Sequence, residues 1–156
     1  MTGAARIGSL KLGRPWRIGL YVVGWGTWLS GALWLIAHYF MRVKGQFGFK
    51  SNPLEFWWLT AHGAFAVACV FMFGWLWSRH IVGGWTMRWR RWSGGVLSGF
   101  VVWLTISGYA LYYIGGAQWL DWTSILHWAA GLASLVAFFI HWLSRSQPRR
   151  TRRSRA

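Results

Sequence analysis

Four long apolar stretches, roughly Ile18 to Phe40, Phe56 to Trp77, Gly95 to Ile114 and Leu120 to Leu143, limit what this chain can become. Each is close to the ~20 residues that a helix needs to cross a bilayer core. All 17 Lys and Arg residues fall between or beyond them. A soluble domain carries charge on about a quarter of its residues, whereas here the charged fraction is 12% and the only acids are Glu55 and Asp121. Without a charged shell, the expected solvent is lipid. The 55% hydrophobic content excludes disorder, and the lone Cys69 excludes a disulfide scaffold.

A net charge of +15 over a folded surface would point to nucleic acid. The segregation of that charge points elsewhere, so no nucleic-acid partner is expected. In an up-and-down arrangement, Arg6, Lys11, Arg14, Arg17, Arg79, Arg88, Arg90, Arg91, Arg145, Arg149, Arg150, Arg152, Arg153 and Arg155 share one side; Arg42, Lys44 and Lys50 share the other. The positive-inside rule then makes the richer side cytoplasmic. The expected fold is all-α: a four-helix transmembrane bundle, up-down-up-down, with both termini cytoplasmic. Residues 1–17 form a basic N-terminal segment, 18–143 the membrane domain, and 144–156 a basic disordered tail resting on anionic lipid. The first stretch is too long for a signal-peptide core, and HYFMRVKG after it offers no small-residue cleavage site, so it is read as a retained helix. Trp and Tyr near the stretch ends fit interfacial belts. No internal repeat is clear.

The chemistry rests on five histidines, because an ionisable side chain in a membrane helix is costly and faces the bundle interior. His127 and His141 are fourteen residues apart on the fourth helix, a rise of about 21 Å that returns to nearly the same face. His62 and His80 are eighteen apart on the second, five full turns and about 27 Å. In an up-and-down bundle these two helices run the same way and can stand diagonally across the core. His62 then faces His127, and His80 faces His141. Two imidazoles converging at each of two depths is what two six-coordinate haems require. With no CxxCH in the chain the haems would be b-type. The mismatch between eighteen and fourteen leaves roughly 6 Å to be absorbed by tilt, or else His80 is idle and one haem is bound. Gly63, Ala66, Gly131 and Ser134, with Gly24, Gly31, Gly99 and Gly108, would admit a macrocycle or simply close helix packing.

HxxxG at His127, the histidine fourteen residues later, WWLTAHGAF and SGYALYYIGG resemble bacterial di-haem membrane cytochromes b of the b-561 type. That group includes the membrane subunits of formate dehydrogenases and nickel-iron hydrogenases, and the likeness covers about residues 18–143. It implies a bacterial inner-membrane protein that relays electrons between quinone and a redox partner or larger complex. It also implies ligands at His62, His127 and His141. The first helix departs from the family: it has Arg17, Ile18 and Gly19 where a ligand is expected, which leaves His80 as the substitute.

His38, at the outer end of the first helix, is expected to be interfacial or to contact a propionate. Arg79, with Arg88, Arg90 and Arg91, is expected to pair with propionates of the cytoplasmic haem. Glu55 and Asp121 are read as helix starts, in NPLE and DWTS. No soluble segment is long enough for a catalytic domain, so the chain is an electron-transfer subunit rather than a complete enzyme. The alternatives are a cofactor-free accessory subunit of a membrane complex and, more remotely, a metal carrier using His38, His62 and Cys69.

Overall fold

The computed structural model describes residues 13–46, 48–86 and 91–143, with backbone only at Phe49, Arg79 and Thr86. Helix α1, Arg14–Phe40, starts with Pro15 in its first turn, where a missing N–H costs nothing. Strands β1, Val43–Gly45, and β2, Gly48–Lys50, form a small antiparallel hairpin, with Val43 opposite Lys50. Gly48 at φ +122° supplies the left-handed turn between them. This hairpin lies in the stretch that the sequence reads as a plain loop; three-residue strands are too short to show a periodic pattern.

Asn52 and Glu55 then launch helix α2, Leu54–Leu76. Leu54 N–H donates to Asn52 Oδ1 at 2.9 Å and Asn52 N–H donates to Glu55 Oε1 at 3.1 Å, a reciprocal cap of the helix start. Helix α2 runs on through a π-helical turn, Trp77–Ile81, into the short α3, Val82–Thr86. Helix α4 is Arg91–Tyr113, and α5 is Ala117–Leu143. Gly116, at φ +92°, makes the turn between them, and Asp121 falls inside α5, one turn beyond its start, rather than at its cap.

These four long helices, of 27, 23, 23 and 27 residues, are long and apolar enough to cross a membrane. Their outward faces carry large apolar side chains such as Phe71, 77% exposed, and Trp92, 89% exposed, which suits a multi-pass membrane protein. Hydroxyls within the helices return their protons to the preceding turn: Thr27 to Val23 O, Thr60 to Phe56 O, Thr105 to Val101 O and Thr123 to Trp119 O, all at 2.8 Å. That removes the cost of an unsatisfied donor in lipid.

The helices associate as two close pairs. Helices α1 and α2 pack along their length, with Trp16 stacked on Trp75 at one end and His38 bonded to Glu55 at the other. Helices α4 and α5 form the second pair. Between pairs, α1 meets α5 and α2 meets α4 at only a few points, among them Tyr21 against Phe138 and Trp25 against Phe139. Helices α2 and α5 thus stand on a diagonal. Among the described residues no large side chain is fully buried, as befits slender helices whose apolar faces turn outward.

Candidate functional site

The diagonal brings the four histidines together in twos. The rings of His62 and His127 lie 6.3 Å apart, centroid to centroid, with their planes at 89°. Those of His80 and His141 lie 6.5 Å apart at 86°. An imidazole bound to a metal through one nitrogen at about 2.0 Å has its centroid about 3.1 Å from the metal, so two bound on opposite sides stand roughly 6.3 Å apart. Both pairs have that spacing. Helix α5 is unbroken from His127 to His141, so the two levels are separated by a rise of about 21 Å.

Hydrogen bonds orient the rings. His62 Nδ1–H donates to Thr27 O at 2.9 Å, and since a carbonyl can only accept, the proton is on Nδ1. Ser107 donates its single hydroxyl proton to Trp103 O at 2.8 Å, so its oxygen accepts from His127 Nδ1–H, also at 2.8 Å. With the proton on Nδ1, Nε2 of His62 and of His127 keeps its lone pair. Ser93 Oγ lies 3.0 Å from His141 Nδ1. Two imidazoles whose centroids have this spacing suit an electropositive centre between them, and metal-bound histidines make hydrogen bonds of this kind from the other ring nitrogen.

Glycine lets the rings come this close to the neighbouring helix. A Cβ on Gly31 would sit 3.0 Å from the His62 ring, and one on Gly108 would sit 3.3 Å from that of His127. Close helix packing, one of the two roles expected for these glycines, is what Gly31 and Gly108 serve here. Gly24, Gly63 and Gly99 have no atom within 4 Å of a built Cβ, and Gly131 has only Leu104 near.

The π-helical turn carries His80. A turn closed by i→i+5 bonds packs more residues into the same length than an α turn does, which takes up part of the eighteen-to-fourteen mismatch. Nothing in the sequence marks that turn beforehand. The Ser-Gly pairs, in contrast, could have been found: Ser93-Gly94 and Ser107-Gly108 repeat at fourteen residues, the spacing of His141 and His127, and Ser30-Gly31 serves His62. This is the internal repeat that the sequence analysis does not see.

His38 stands apart from both pairs. Its Nδ1 lies 3.0 Å from Glu55 Oε2, and its ring stacks on Trp34 at 4.8 Å. Arg91 donates from Nε to Trp85 O at 2.9 Å and lies over the Trp85 ring. The Arg79 side chain and all of Arg88 and Arg90 lie outside the described residues, as do segments 1–12 and 144–156.

Among the described residues no three His, Cys, Asp or Glu side chains cluster as a self-sufficient metal site would, so His38, His62 and Cys69 are not brought together. A porphyrin supplies four ligands itself and asks the protein for two, which is the number each level offers. A groove of roughly 550 Å³ against Gly99, Trp103, Ala129 and Ala133 holds no ligating side chain. Comparisons with protein-family models, curated proteins and solved structures find no match to the chain.

Proposed function

We propose that this chain is an integral-membrane cytochrome with two b-type haems, relaying electrons across the bilayer between quinone and a redox partner. The observation that carries it is the pairing of His62 with His127 and of His80 with His141 at the spacing of opposite axial ligands. Within this reading His62, His127, His80 and His141 hold the iron. Each haem, when bound, supplies a reversible one-electron couple. Thr27 O, Ser107 and Ser93 lie against Nδ1 of His62, His127 and His141 and would hold the imidazoles in place. Open space beside Gly63 is compatible with a flat macrocycle.

Topology belongs to the same proposal: an up-down-up-down bundle in a bacterial inner membrane, both termini and the basic 144–156 tail cytoplasmic, the tail on anionic lipid. Arg79 lies next to His80 in the chain, at the level where propionates of the cytoplasmic haem would be paired; His38, held by Glu55, sits at the opposite end of α1. The likeness to b-561-type cytochromes supports the quinone end of the relay. A cofactor-free accessory subunit would account for the exposed aromatic surface but gives no reason for two facing histidine pairs.

The test is reduction in liposomes. A short-chain quinol should reduce both haems of the reconstituted protein, and an oxidised small redox carrier inside the vesicle should then reoxidise them. Haems that respond to dithionite but to no quinol would remove quinone from the account.

A further inference from the structure

Two serines are buried among the described residues, Ser30 and Ser107, each 4% exposed, and both face a histidine. In a bundle without fully buried large side chains, that placement calls for a reason. Their bonding differs. Ser107 is the near acceptor for His127 Nδ1–H at 2.8 Å, whereas Ser30 stands 3.4 Å from His62 Nδ1, whose proton goes to the Thr27 carbonyl at 2.9 Å. Ser93, fourteen residues before Ser107 on α4, meets His141 Nδ1 at 3.0 Å.

Resting on the di-haem reading, we propose that Ser107 and Ser93 are positioning residues, each setting the orientation and basicity of one axial histidine and so the potential of one haem. A partner on Nδ1–H pulls the proton outward and makes Nε2 the better donor. A stronger donor favours ferric over ferrous iron, because the extra positive charge gains more from it. Removing the serine acceptor therefore raises the midpoint potential. The two levels are about 21 Å apart, with Ser107 at one and Ser93 at the other, so each substitution acts on its own haem. His62 is held by a backbone carbonyl that no side-chain change removes, so Ser30→Ala serves as an internal comparison at the same depth and burial.

The experiment is a redox titration with low-temperature electron paramagnetic resonance on the detergent-purified chain, for Ser107→Ala, Ser107→Thr, Ser93→Ala and Ser30→Ala. Ser107→Ala should weaken the ferric preference of one haem about tenfold, which for a one-electron couple is an upward shift of about 59 mV. Ser93→Ala should do the same to the other haem only. Ser107→Thr, which restores the hydroxyl, should return the potential, and Ser30→Ala should move it less than Ser107→Ala does. Should Ser107→Ala lose its haem altogether, retention of that haem in Ser107→Thr supports the assignment and loss in both overturns it. Both haems shifting together, no shift, or equal shifts in Ser107→Thr and Ser107→Ala also overturn it. A wild-type chain without haem would instead defeat the cytochrome reading itself.

Discussion

At the scale of single residues, the site depends on imidazoles pressed against glycine. His62 has its Cε1 and Nδ1 3.0 Å from where a Gly31 Cβ would be, closer than carbon atoms comfortably approach. The ring cannot retreat without giving up Thr27 O. Gly31→Ala is therefore expected to displace His62 and to cost about 1–3 kcal/mol by overpacking. Absorption spectra should show one haem lost or high-spin and the other intact, whereas Gly24→Ala, with nothing within 4 Å, should leave both unchanged. His62→Ala and His127→Ala should each abolish that same haem, because each removes one axial ligand of one iron. Loss of both haems from either change would show that the two levels do not act independently. The near-perpendicular ring planes carry a signature of their own. Oxidised protein should give the highly anisotropic low-spin resonance of crossed axial imidazoles, not the rhombic one of parallel rings.

At the scale of elements, the histidine pairing was legible in the sequence because helical register is arithmetic. Fourteen and eighteen residues each return close to one face, and apolar length alone implied four helices. What escaped was irregular. The π-helical turn at Trp77–Ile81 has no composition cue, and the three-residue strands are too short for alternation to show. The Ser-Gly sockets escaped for another reason. A serine or glycine in a membrane helix is common, and only its partner across the pair gives it meaning. The π turn makes a definite prediction: deleting Ser78 to restore regular α-helix would leave His80 seventeen positions from His62, about 100° away from the His62 face. The haem held with His141 should be lost while the haem at His62 and His127 remains, as read from the two resonance signals. Retention of both would show that the turn has no part in placing His80.

For the whole molecule, the two helix pairs touch sparingly and meet through facing histidines at two depths. On the proposed reading, ligands shared by α2 and α5 would act as cross-links between two pairs that touch at only a few points. Removing haem should therefore loosen the association of the pairs more than the helices themselves, leaving helical circular dichroism nearly unchanged while proteolysis between residues 86 and 91 accelerates. On the proposed topology, the charge asymmetry puts both termini on the cytoplasmic side. Trypsin should remove the basic tail in inverted membrane vesicles and spare it in spheroplasts; the reverse pattern would turn the assigned topology over. The central claim concerns what lies between the histidines, and haem content addresses it most directly. The reduced-minus-oxidised visible spectrum of purified protein, with haem extracted and counted against protein, should give b-type bands and two haems per chain. One haem per chain would remove the His80 and His141 site, and none would contradict the account altogether.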